Sequence, residues 1–167
     1  MLKSLMRVVS LAAFAVFIGI GCATIPKPAQ PYKPMQESLV TYPSGGLNLQ
    51  GTLCMPAEAE EGKVPAVVLA HGSGPSSRDG FMQGQLNMGF GFNIPVYAEL
   101  AWALCDAGFA TLRFDKRSCS KENKCYQNDY PQISSDEIVI QDFMDDVLAG
   151  VTYLAEYEET NKQHIFV

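Results

Sequence analysis

From residue 37 onward the apolar positions switch between a period of two and a period near 3.6. Residues 37–43 (ESLVTYP) and 47–55 (LNLQGTLCM) flank a Ser44-Gly45-Gly46 turn, and Leu47, Leu49 and Leu53 alternate with a break near Gly51. That pattern predicts a β-hairpin. A charged, exposed turn follows over 57–63. Residues 64–70 (VPAVVLA) are continuously apolar, as in a strand covered on both faces of a parallel sheet. A long loop is expected over 76–93, and Pro95 opens a helix at a first-turn position. Val96, Leu100, Ala103, Leu104 and Ala107 recur at helical spacing, with Gly108 placed to stop the helix. Residues 109–115 (FATLRFD) read as the next strand, which makes a right-handed βαβ unit.

After a polar loop over 116–131 a second helix is predicted. Ser134 and Glu137 have capping-box spacing, and Asp136 suits the positive helix end. Ile140, Phe143, Met144, Val147, Leu148, Val151 and Leu154 form its apolar face. Asp142, Asp145, Asp146 and Glu156 fall mostly elsewhere and read as a solvated face rather than a metal site. Residues 158–162 (EETNK) are turn-like, and His164-Ile165-Phe166-Val167 open a further strand. The order is a hairpin and then β-α-β-α-β, an α/β layer architecture. No internal repeat is visible.

The amino-terminal residues follow a different logic. Lys3 and Arg7 precede an apolar run over 8–20, short for a membrane span and suited to a signal peptide. The run ends in Gly19-Ile20-Gly21-Cys22, which resembles a bacterial lipobox with Gly19 where Leu is favoured. On that reading Cys22 is lipidated with palmitate; the alternative is cleavage after Ala23. Both readings place the chain outside the cytoplasm, and the first ties it to the cell-envelope membrane through the lipid anchor alone. Prolines 26, 28, 31 and 34 make residues 24–36 an extended tether. The expected organisation is a signal peptide over 1–23, the tether, and one domain over 37–167.

Composition narrows the function classes. The 167 residues are 47% hydrophobic and 18% charged, with a net charge of −6. The apolar fraction can fill one core, and no basic cluster exists to bind nucleic acid. Cys54 and Cys105 sit in apolar patterns, as small buried hydrophobes do. Cys119 and Cys125 bound a polar loop that a disulfide could close. One such pair without a second lacks the ligands of a metal site, and no cofactor is expected.

The loop His71-Gly-Ser-Gly-Pro75 stands at the carboxyl end of the buried 64–70 strand, where ligands bind in α/β sheets. A dinucleotide reading, Gly72-x-Gly74-x-x-Ser77, lacks the third small residue, and its helix begins only at Pro95. The segments YPSGGLNLQGTLCMP, VVLAHGSGPSSRDG and LAWALCDAGFATLRFDKRSCS together resemble the first half of serine α/β-hydrolases. The resemblance is nearest to esterases of the dienelactone-hydrolase and prolyl-oligopeptidase groups, and it covers about residues 37–167.

What the resemblance implies is the N-terminal half of an α/β-hydrolase fold acting on carboxylic-ester or related small acyl substrates. It implies an oxyanion donor at the backbone N–H of Ser73, with Gly74 beside it. His71 and His164 precede the family's nucleophile and are not its base. Ser73, Ser76 and Ser77 lie in no Gly-x-Ser-x-Gly elbow. Asp115-Lys116-Arg117 matches a family turn, but Ser118-Cys119-Ser120 replaces the usual Gly-x-Gly, and Asp115 reads as structural. The 164–167 segment corresponds to the root of the nucleophile strand. On this reading the nucleophile, acid and base lie beyond Val167, the chain alone is inactive, and the 64–70 strand is left nearly as an edge. The alternative is a short envelope-tethered binding module using the Met- and Phe-containing segment 80–92.

Overall fold

The computed structural model describes residues 35–72, 76–85, 91–119 and 137–167, with backbone alone at 82–85 and 91–93. Strands β1 (Met35–Ser44) and β2 (Leu47–Pro56) form the expected antiparallel hairpin. Its two-residue turn is Gly45-Gly46, with φ of 54° and 81°. Two successive positive φ angles match the right-handed twist of a hairpin, and glycine adopts them without a Cβ clash.

Strand β3 (Val64–Leu69) leads toward a second, two-stranded sheet of β4 (Phe81–Gln85) and β5 (Gly91–Pro95). This corrects the expectation of a loop over 76–93: the glycine-rich composition concealed an antiparallel pair. Helix α1 (Val96–Asp106), strand β6 (Ala110–Phe114), helix α2 (Ile140–Glu156) and strand β7 (Thr160–Phe166) complete the order. The main sheet runs β1-β2-β6-β3-β7. Strands β6, β3 and β7 are mutually parallel, and β2 joins β6 antiparallel.

Register shows where the helices lie. Successive strand residues face opposite sides. Thr111 faces α1, since its Oγ1 donates to the Ala101 carbonyl at 3.4 Å. Its neighbour Leu112 faces α2, 3.3 Å from where a Cβ on Gly150 would stand. The two helices therefore cover opposite faces. The β3-α1-β6 and β6-α2-β7 crossovers step in opposite directions along the sheet, so one handedness puts their helices on opposite sides. Leu49, Leu53, Val68, Leu112 and Leu154 are fully buried in the core beneath α2.

Both helices are rotated from their predicted faces. In α1 the buried residues are Ala98, Ala101 and Cys105, while Leu100 is 44% exposed. Small side chains let the helix lie close on the sheet. In α2 the buried residues are Asp146, Gly150 and Leu154. Ile140, Met144 and Leu148 stand outward at 79%, 54% and 58% exposure. Gly150 explains the choice: Val68 and Leu112 pack 3.3 Å from the point a side chain would occupy. The helix also begins at Ile140, beyond the predicted Ser134/Glu137 box. There the Asp142 carboxylate accepts the Val139 N–H at 2.8 Å, and Ser134 and Asp136 lie outside the described residues.

Strand β7 begins at Thr160, earlier than predicted, and pairs with β3 through Val64↔Thr160, Ala66↔Ile165 and Val67↔Phe166. The expected exposed edge at 64–70 is thus corrected. Strand β3 is interior, between β6 and β7, and β7 carries the edge.

Candidate functional site

The parallel strands β3 and β6 lie side by side, and their carboxyl ends send chain to opposite faces of the sheet. Such a divergence opens a crevice where α/β proteins bind ligands. His71 and Gly72 leave β3 on one side of it; Asp115, Lys116 and Arg117 leave β6 on the other.

The residues on either side of 73–75 are both anchored. The Gly72 N–H donates to the Tyr97 hydroxyl at 3.2 Å, and the Gly72 carbonyl accepts from Lys116 Nζ at 2.8 Å. The Ser76 carbonyl accepts the Lys116 N–H at 3.1 Å. Ser73 and Gly74, the predicted oxyanion donors, lie between these stems and outside the described residues. Cys22 and Cys125 do so as well. Cys119 is disulfide-bonded.

Beneath the loop is a buried ion pair. Arg78 donates to Asp115 through its backbone N–H (2.7 Å), Nε (3.2 Å) and Nη2 (2.8 Å). Arg78 Nη1 also reaches the Gly51 carbonyl at 2.9 Å. The Asp115 N–H returns to the Gln50 carbonyl at 2.8 Å. The pair therefore locks the β3 loop, the end of β6 and the middle of β2 to one another. Burial without these partners would cost several kcal/mol, about 3–5 by analogy with broken buried pairs. The structural reading of Asp115 fits this geometry.

A second buried pair lies toward α2. Arg117 donates from Nε to Asp146 Oδ2 at 2.8 Å and from Nη1 to Asp142 Oδ1 at 2.9 Å. Ser44 Oγ donates to Asp146 Oδ1 at 2.6 Å. Asp146 is 1% exposed, so the expectation of a solvated acidic face fails for this residue. The Asp146 hydrogen bond holds the Arg117 guanidinium even more firmly protonated than usual. Among the described residues no cluster of three His, Cys, Asp or Glu could hold a metal ion.

His71 lies edge-on to Tyr97 and Phe114, with ring centroids 4.7 and 5.3 Å away. Its Nε2 stands 3.2 Å from the Ser77 carbonyl, an acceptor, so Nε2 carries the proton and Nδ1 does not. Nδ1 is buried without a partner. Burial pushes the imidazole down to about 4, partly opposed by the Ser77 contact. The ring is therefore neutral at ordinary pH, with the Nδ1 lone pair enclosed. Burial also lowers the Lys116 ammonium from its ordinary value, and Nζ sits 4.2 Å over the Phe143 ring.

Arg78, Tyr97, Lys116 and the Arg117–Asp146 pair were not assigned from sequence. One signal was present: Asp146, Gly150 and Leu154 recur every fourth residue, which puts the carboxylate in line with a glycine at close approach. A cavity of about 720 Å³ opens elsewhere, at the amino-terminal end of the parallel strands, between Pro56, Val64, Cys105 and Gly108. It does not touch the crevice. Among the described residues no helix is long and apolar enough to cross a membrane.

No protein-family model and no curated protein matches this sequence. Solved structures do. One is the hypothetical protein PA2218 from Pseudomonas aeruginosa, 18% identical, with a TM-score of 0.53 over 81% of this chain and 36% of that one. Another is a dienelactone hydrolase-like promiscuous phosphotriesterase, P91, from metagenomic libraries. It is 20% identical, with a TM-score of 0.43 over 78% of this chain and 47% of that one. The first likeness establishes a shared α/β fold. This chain spans between about a third and a half of the length of those proteins.

Proposed function

We propose that this chain supplies the amino-terminal half of an exported serine hydrolase of the α/β-hydrolase type, acting on carboxylic-ester or related small acyl substrates. Ser73, with Gly74 beside it, presents the backbone N–H that stabilises the oxyanion. The nucleophile, acid and base come from residues beyond Val167. The sequence through Val167 contains no Gly-x-Ser-x-Gly elbow. The amino-terminal segment directs export, and lipid on Cys22 tethers the protein to the envelope membrane.

One geometric observation carries this reading. Phe166 is in register with Val67 on the adjacent parallel strand. Chain continuing a few residues past Phe166 comes level with Ala70 and His71, beside the loop whose stems are fixed at Gly72 and Ser76. A serine raised on a tight turn there would attack a carbonyl whose oxygen faces the loop N–H groups. One such donor is worth roughly 3–4 kcal/mol of barrier. It stabilises charge only once a nucleophile has created it, so residues 1–167 bind and orient but do not cleave.

The test compares the 167-residue chain with a version extended by the coding sequence that follows. A fluorophosphonate probe and a short-chain p-nitrophenyl ester are applied to both. The expected result is no labelling or turnover by the shorter chain, and labelling of a serine within a few residues of β7 in the longer one. Turnover by the shorter chain, or an extended chain without a labelled serine, overturns the reading.

A further inference from the structure

The cysteines left free by the site have a geometry of their own. Cys54, on β2, and Cys105, in the last turn of α1, are 0% and 2% exposed and both unoxidised. Strand register places Cys54 opposite Thr111. Thr111 in turn holds the Ala101 carbonyl of α1. Ala101 and Cys105 are one helical turn apart on the buried face. The helix therefore brings Cys105 over the same face of the sheet as Cys54, close enough that the two thiols shift each other's titration in opposite directions. Cys105 also forms part of the wall of the 720 Å³ cavity. Two neighbouring buried thiols, one of them lining an open cavity, need a reason beyond packing that two alanines could supply.

We propose that Cys54 and Cys105 form a dithiol–disulfide couple that staples β2 to α1, oxidised by a small disulfide entering through the cavity beside Cys105. Cys105 is the thiol that the cavity wall presents to the incoming disulfide, and Cys54, enclosed behind it, is the resolving thiol. Cys105 gives its proton to solvent base in the cavity, attacks one sulfur of the incoming disulfide, expels one thiolate that takes up a proton from solvent, and carries the other half as a mixed disulfide. Cys54 gives up its proton, attacks the Cys105 sulfur and releases the second half, which takes that proton as a thiol. One S–S bond breaks and one forms. Both protein thiols are oxidised, and the small disulfide is reduced to two thiols.

The staple acts on the proposed site at a distance. Helix α1 carries Tyr97 in its first turn, and the Tyr97 hydroxyl holds the Gly72 N–H. Fixing the other end of α1 to the hairpin stiffens the helix that anchors the loop. The placement of Cys54 and Cys105 on one face of the sheet stands whatever the chain's activity.

The experiment uses the full chain, reduced and then equilibrated with oxidised glutathione, quenched with N-ethylmaleimide and digested with trypsin without reductant. Cys54 and Cys105 fall in different tryptic peptides, separated by Lys63 and Arg78. The expected result is a cross-linked pair of those peptides, together with a thermal midpoint about 5–10 °C above that of the reduced protein. Cys54→Ala should lose both the cross-link and the shift, while Cys119→Ser keeps them. Recovery of N-ethylmaleimide on both Cys54 and Cys105, or pairing of either with another cysteine, overturns the proposal. Cys22 shares the tryptic peptide 8–63 with Cys54, so the peptide map of a Cys22→Ala chain decides this even if Cys54→Ala fails to fold.

Discussion

Arg78 places three hydrogen bonds on the carboxylate of Asp115, one from its backbone and two from its guanidinium. Both side chains are almost wholly enclosed, at 3% and 0% exposure. The pair joins the β3 loop to the end of β6, so it sets the floor of the crevice. Removing one member strands a charge in the interior. Asp115→Leu and Arg78→Met should each cost about 3–5 kcal/mol in urea denaturation. The double variant Arg78→Met/Asp115→Leu should cost less than the sum of its singles, because neither charge is left alone. Additive losses would mean that the two side chains do not depend on each other.

The Arg117–Asp146 pair separates two views of the same helix. A solvated acidic face predicts that Asp145 and Asp146 tolerate neutralisation equally. The geometry predicts that they do not, since Asp146 is buried against Arg117 and Ser44 whereas Asp145 is exposed. Asp145→Asn should change stability by no more than about 0.5 kcal/mol. Asp146→Asn should cost about 3 kcal/mol or more, since Arg117 then keeps only its half-buried partner Asp142. Equal effects in thermal or chemical denaturation would return Asp146 to the surface.

The outward stripe on α2 gives a contrast within one element. Ile140, Met144 and Leu148 are spaced by four and exposed, while Leu154 is fully buried. Leu154→Ala should cost about 2–5 kcal/mol. Changing Ile140, Met144 and Leu148 singly to Lys should leave the stability of this chain within about 0.5 kcal/mol. The measurement is the urea midpoint of each variant. A large loss from any of the three lysine substitutions would mean that the stripe is covered.

These contrasts locate what the sequence could and could not convey. The hairpin turn was legible because two adjacent glycines have few other uses between alternating strands. Residues 64–70 were legible as a buried strand because continuous apolar character has no solvent-facing solution. The order of strands and helices followed from period alone. Helix rotation did not. An apolar stripe as wide as that of α2 offers more than one face to a sheet, and the choice fell to Gly150 and to the charge partner of Asp146. The β4–β5 pair was hidden because glycine-rich segments carry no alternation. At the crevice, residues 71–75 stood out as a motif, but the groups that hold their stems come from distant segments. Tyr97 and Lys116 meet Gly72 only after the sheet has formed.

His71 supplies a pH signature for this end of the sheet. Packed between Tyr97 and Phe114, its imidazole titrates at about 4, against 6.5 when unperturbed. Between those values the unfolded chain binds a proton that the folded chain excludes. Stability from this residue is therefore complete above about pH 6.5 and falls as the pH drops toward 4. The full difference is on the order of 3 kcal/mol. His71→Gln keeps a donor for the Ser77 carbonyl and removes the titration. Urea denaturation of both proteins at pH 7 and pH 4.5 should show the unmutated chain losing about 2–3 kcal/mol more than the variant on acidification. Carboxylates titrate in both proteins and cancel in the comparison. Parallel losses would mean that the His71 ring is open to water and free to take up a proton, and the neutral, enclosed imidazole would be wrong.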